Sequence, residues 1–197
     1  MTELESLSLS ILAANIIIFN IIGNFGNLNL VWCTLRKREL RSRSGILLAV
    51  NAVYQSICLV SLLFNAALII SGKKISRRDC FSIDTLFMIA GSQQATMAFS
   101  IALDLFFAVV YPVRYRLFNT KYYFLVLCGT SWTFALFFMV YAWMMMNDDI
   151  LEFCTVLVAM PPGVVSLWTD LNVIINFGVL GVYLATFLVL KFKCELS

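Results

Sequence analysis

The sequence predicts an all-α, polytopic membrane bundle of five transmembrane helices, and three observations carry that expectation. Hydrophobic residues fill 61% of the 197 positions, against roughly 45–50% in a soluble domain, which is more apolar surface than one water-soluble core can hide. Charged residues fill 13%, about half the usual share of roughly 25%. The apolar residues also fall into five continuous runs, each as long as the roughly 20 residues a helix needs to cross a bilayer. A β-barrel would show alternating segments of about ten residues, whereas in lipid a continuous run satisfies its own backbone groups as a helix.

The first run covers residues 9–35 and carries Asn15, Asn20, Asn24, Asn27 and Asn29 without any charge. Gly23 and Gly26 lie three apart in it, a strip where another helix can approach closely. The basic loop Arg36-Lys-Arg-Glu-Leu-Arg-Ser-Arg43 ends this span. The second run covers 45–70, with Asn51 and Gln55 as its main polar interruptions, and the loop from Ser71 to Asp79 follows. The third covers 80–111 and holds Asp84, Gln93, Gln94 and Asp104; it exceeds the bilayer thickness and is expected to tilt or protrude. The fourth covers 122–146 with Trp132 and Trp143, and the fifth covers 164–190. Between them runs an acidic, proline-bearing connection that contains Cys154. Trp32, Trp132, Trp143 and Trp168 include expected interfacial anchors.

Composition narrows function as well. The chain has no histidine, which removes the commonest catalytic base and metal ligand, and no acid cluster lies within the spans, so an intramembrane enzyme is disfavoured. The six cysteines include no Cys-x-x-Cys pair, which argues against zinc. The acidic start, with Glu3 and Glu5 and no base, followed by a long apolar run, reads as a retained span rather than a signal peptide.

Orientation follows from the basic residues of the loops. Arg36, Lys37, Arg38, Arg41, Arg43, Arg114, Arg116, Lys121, Lys191 and Lys193 fall on one side. Lys73, Lys74, Arg77 and Arg78 fall on the other, together with most of the acids. The ten-to-four bias places the N-terminus outside and the C-terminus in the cytoplasm.

At the inner end of the third span, Asp104, Ala108, Val109, Pro112, Arg114 and Tyr115 resemble the Asp-Arg-Tyr-x-Ala-Val-x-x-Pro-x-Arg-Tyr stretch of rhodopsin-like G-protein-coupled receptors. Gly26-Asn27, Gln55 where that family carries a span-two aspartate, Cys80 at the head of span three, Trp132 in span four and Cys154 in the second outer loop stand in the family's order and spacing. Leu48-Ala-Val-Asn-Ala52, Ala108-Val-Val-Tyr-Pro-Val-Arg-Tyr-Arg116 and the short acidic N-terminus are most similar to the nematode serpentine chemoreceptors of the Srsx class. The resemblance runs along the whole chain but reaches five of the family's seven spans. The aromatic-Pro motif of span six and the Asn-Pro-x-x-Tyr of span seven are not in it.

Several roles come with the resemblance. Cys80 and Cys154 are expected to form an extracellular disulfide, with two free thiols as the alternative. Asp104 is the acid that in the family pairs with the next residue, an arginine. Leu105 stands there instead, so Arg114, Arg116 or a first-loop base is the substitute partner, and a solvated acid at a helix end is the alternative. Asp104, Pro112, Arg114 and Tyr115 form the inner, G-protein-facing end. Asn27, Gln55 and Trp132 are interhelical polar positions, with a bond from Asn27 to Gln55 expected. The family's sodium site uses a span-two carboxylate; Gln55 is neutral, which argues against bound sodium, and no metal or other cofactor is implied. Asp84, Gln93, Gln94, Asp170 and Asn172 are ligand-pocket candidates, each of which equally fits a polar residue facing other helices or water. Cys194, beside Lys191 and Lys193, is a weak palmitoylation candidate.

The function implied is that of a chemosensory receptor at the plasma membrane, including sensory cilia. Its partners would be the bilayer, a small-molecule or peptide ligand, a heterotrimeric G protein when full-length, and receptor oligomers, with no nucleic acid. A truncated, non-signalling protein that associates with full-length receptors is the alternative, and Leu105 fits it. A small transporter or channel is a third reading, although the paired repeats and interrupted helices expected of one are not seen.

Overall fold

The computed structural model describes residues 3–117 and 119–195; the side chains of Glu3, Glu5 and Lys121, counted above for orientation, lie outside the described set. Seven helices follow one another: α1 (Glu3–Arg36), α2 (Arg43–Ser71), α3 (Arg77–Val110), α4 (Pro112–Leu117), α5 (Thr120–Met144), α6 (Val156–Ala159) and α7 (Pro162–Glu195). A single 3-10 turn, Arg38–Leu40, lies between α1 and α2. Five of the helices, α1, α2, α3, α5 and α7, are long and apolar enough to cross a membrane. The fold is an all-α membrane bundle.

Local chemistry sets the helix boundaries. Ser42 caps α2 by accepting from the Gly45 amide at 3.1 Å. Gly72 closes the same helix with a left-handed φ of 62°, a conformation glycine adopts without the penalty a Cβ brings. Ser76 caps α3, its hydroxyl accepting from the Asp79 amide and donating to the Asp79 carboxylate. Proline disfavours helix at the residue before it, and α3 ends at Val110, just before Tyr111 and Pro112. Pro112 then takes the first position of α4, where its missing N–H is harmless. Inside the spans, Thr34, Ser61, Thr85 and Thr186 donate to the carbonyl four residues back. Asn15 and Asn29 do the same from exposed positions on α1. These six hydroxyls and amides are thus satisfied within one helix, as hydrocarbon surroundings require.

Helix α3 is the hub and packs against α2, α5, α6 and α7, while α1 lies on α2. The main buried cluster gathers near the start of α3, where Cys80, Phe81 and Met88 meet Phe138 and Ala142 of α5, Ala159 of α6 and Val164 of α7. Over it sits a cap. Two short strands, β1 (Ile75–Ser76) and β2 (Ile150–Leu151), pair antiparallel with Ile75 opposite Leu151. Cys80 and Cys154 are joined by a disulfide across 74 residues of sequence. Closing a loop of that length restricts the unfolded chain by at most about 4.5 kcal/mol on the chain-entropy model. Arg78 pairs with Asp148 at 2.9 Å, Arg77 with Asp149 at 3.5 Å and Lys74 with Glu152 at 4.0 Å. Three of the four bases on this side therefore face acids of the neighbouring connection, and the segments read as plain loops are a cross-linked two-stranded lid.

Candidate functional site

At the opposite, basic end the third-span acid has a built surrounding. Asp104 is fully buried. Its Oδ1 accepts from the phenols of Tyr115 in α4 and Tyr123 in α5, both at 2.8 Å, and its Oδ2 accepts from the Ser44 hydroxyl of α2. One carboxylate therefore ties four helices together. Arg43 donates to the Tyr115 carbonyl at 2.8 Å and stacks over the Tyr115 ring at 5.2 Å, so the first-loop base acts on the cage through Tyr115. Burial pushes the Tyr115 phenol above its ordinary pKa, and the hydrogen bond to the Asp104 carboxylate adds to this. Lys193 of α7 donates to the Val109 carbonyl at 2.7 Å, bringing a cation to the C-terminal end of α3, where the helix dipole favours it.

This arrangement corrects two expectations. Asp104 is not a solvated acid at a helix end, because packing of α2, α4 and α5 around it excludes water. Arg114 and Arg116 are not its partners; they point outward from α4, and among the described residues neither forms an ion pair with it. Leu105, in the family's arginine position, is 42% exposed. Ser44 and Tyr123 went unnoticed in the sequence because they lie 60 and 19 residues from Asp104. A tyrosine at the entry of span four was the one available hint.

The second candidate site lies beneath the cap. Asp84 is fully buried, with Oδ2 3.8 Å from Cys154 Sγ and 4.0 Å from Cys80 Sγ. Asn65 of α2 is also buried and places Oδ1 4.0 Å from the same Cys154 sulfur. The other oxygen of Asp84 and the amide nitrogen of Asn65 have no partner at full hydrogen-bond geometry, and the two side chains face each other closely enough to interact. The sulfurs are bonded to each other, so they are not thiolate ligands and this group of two cysteines and an acid is no metal site. Farther along α3, Trp168 of α7 donates to Ser92 at 3.0 Å, and its ring lies against Gly91.

The five pocket candidates do not converge. Asp84 and Gln93 are nine positions apart, which at 100° per residue places them on opposite sides of α3. Gln93 is fully buried with both amide atoms unpartnered, and Gln94 is half-buried. Asp170 is exposed, and Asn172 donates back to the Trp168 carbonyl of its own helix at 2.6 Å. Among the described residues Asn27 and Gln55 form no bond with each other. The α1–α2 link is made by Asn20, whose amide donates to the Leu59 carbonyl, next to the point where Leu59 packs on Gly23. Trp132 is part-exposed on α5 and meets the phenol of Tyr54 on α2.

No curated protein matches the chain. A family model described as serpentine type 7TM GPCR chemoreceptor Srsx matches residues 20–196, which takes in all but the first part of α1. With a five-span bundle, a disulfide from the head of the third span to the following outer connection, and a buried acid at the other end of that span, the chain belongs to the Srsx family of serpentine G-protein-coupled chemoreceptors.

Proposed function

We propose that the chain binds a small polar ligand beneath its disulfide cap and relays binding along α3 to the Asp104 cage. The observation that carries this reading is the pair Asp84 and Asn65. A buried carboxylate and a buried amide that face each other without a bond of full geometry leave hydrogen-bonding capacity unused in an apolar setting, which is costly. A ligand offering one donor and one acceptor between them uses it. The ligand class is accordingly a small amine, amide or alcohol with an acceptor nearby. The basic end, with nine of the ten inner bases described, supports a cytoplasmic placement and the cap an extracellular one; the reading locates the protein in the plasma membrane, with the G-protein surface formed by α4 and the ends of α3 and α5. The relay is a population shift between two packings of α3 against α2 and α5, which a ligand biases by its differential affinity.

The test is a thermal-shift screen of the purified chain in detergent against small amines, amides and alcohols. Ligands that raise the melting temperature should lose their effect in Asp84→Asn and Asn65→Ala and keep it in Asp170→Asn. Hits indifferent to Asp84 and Asn65 would sink the reading. One observation favours a second reading, a receptor-associated partner without signalling of its own: exposed Leu105 offers no guanidinium to a G protein.

A further inference from the structure

We infer that the groove between α1 and α2 at the basic end binds one anionic phospholipid of the adjoining leaflet. The groove has a volume of about 520 Å³, within the roughly 300–1,000 Å³ span of small-molecule sites. Its walls are Val31 and Leu35 of α1 and Ile46, Val50 and Val53 of α2, and Arg41 stands at its rim. Apolar walls with a single cation at one end match an acyl chain with a phosphate above it.

Three further features fix the occupant. Arg41 is held at the rim by donating to the Leu35 carbonyl, and among the described residues no carboxylate pairs with it. The stretch from Arg36 to Arg41 carries four bases and one acid, Glu39, so an incoming phosphate meets net positive charge. Trp32 is exposed at the end of α1 with Arg36 stacked on its ring at 5.5 Å. An exposed tryptophan beside a base marks the headgroup level, which puts Arg41 at phosphate depth and Val31, Val50 and Val53 among the acyl chains. A zwitterionic lipid brings its own cation beside its phosphate and would leave the net positive charge of residues 36–41 uncompensated, and a free phosphate would leave the apolar walls unmatched.

The test reconstitutes the full chain in phosphatidylcholine bilayers containing phosphatidylserine as a minor component, then counts retained lipid by native mass spectrometry. The wild type should keep one phosphatidylserine in preference to phosphatidylcholine. Arg41→Gln should lower retention about fivefold, the weight of one base at an anionic surface, and Arg41→Lys should restore most of it. Val50→Phe, which fills the groove without changing charge, should lower retention as much. Arg114→Gln/Arg116→Gln removes two charges from the same end and should leave retention unchanged. Wild-type retention in Arg41→Gln overturns the inference whether or not Val50→Phe folds. So does equal retention of phosphatidylcholine, or a loss in the Arg114/Arg116 variant as large as that in Arg41→Gln, which would mean diffuse attraction to the whole basic end.

Discussion

Replacing Tyr123 by phenylalanine removes one hydroxyl from the Asp104 cage and changes nothing else in shape. The carboxylate is fully buried and its three hydroxyl partners come from three helices, so the lost bond is not replaced by water. A hydrogen bond to a charged group contributes about 1.5–3 kcal/mol in a protein interior, while interhelical bonds in membranes average about 0.6 and reach about 1.7 kcal/mol. The Asp104 site combines both conditions, and the expected loss is about 1–2 kcal/mol. Reversible unfolding in mixed micelles, followed by tryptophan fluorescence, reads this directly. The decisive form is a double-mutant cycle with Asp104→Ala. Once the acceptor is gone, Tyr123→Phe should cost almost nothing, leaving a coupling of about 1 kcal/mol. If Tyr123→Phe costs the same with and without Asp104, the phenol stabilises the bundle by packing alone and the cage is not an electrostatic unit.

The raised pKa of Tyr115 gives a pH dependence of definite sign. Its neutral form is favoured in the folded state, so its contribution is complete below the unfolded value of about 10 and is lost as pH rises through the folded value. Stability should fall on the alkaline side of about pH 10, with a shallower fall in Tyr115→Phe. Two glycines should respond oppositely to alanine. A Cβ on Gly45 would lie 2.0 Å from the Leu40 carbonyl oxygen, whereas one on Gly26 meets nothing within 4 Å. Gly45→Ala should therefore cost about 1–3 kcal/mol, and Gly26→Ala, inside α1, should stabilise by up to about 1 kcal/mol, by the same unfolding measurement.

The spans were legible because hydrophobicity alone sets them: the five runs read from sequence fall within α1, α2, α3, α5 and α7 to within a few residues at most ends. What composition could not reveal is which side of each helix meets which neighbour. Helix α1 is apolar almost all round, so its Asn20 and Asn27 look alike in sequence. Only packing tells that Asn20 faces Leu59 and that Asn27 does not reach Gln55. The same holds for Asp84 and Gln93, two polar residues of one span that α3 turns in opposite directions. The short elements were invisible for a different reason. Strands β1 and β2 have two residues each, α4 six and α6 four, too few to leave a periodic pattern; they exist because the disulfide and the Asp104 cage hold the chain around them. The Cys80–Cys154 pairing, by contrast, was accessible through the order of motifs, since resemblance fixes partners that spacing does not.

The two ends of the bundle are fastened by different kinds of bond. One is closed covalently, with strands and ion pairs around the disulfide; the other is held by a carboxylate and three hydroxyls, whose bonds can exchange one at a time. A bundle so built behaves as a lever with a fixed fulcrum. Asp104 lies 24 residues along α3 from Cys80, about 36 Å at 1.5 Å per residue, so a tilt of about 5° at the cap becomes a displacement of about 3 Å at Asp104 by the same geometry. Added to bonds of 2.8 Å, a displacement of that size carries them past hydrogen-bond reach, so a change of angle too small to disturb the capped end is large enough to open the Asp104 cage at the other.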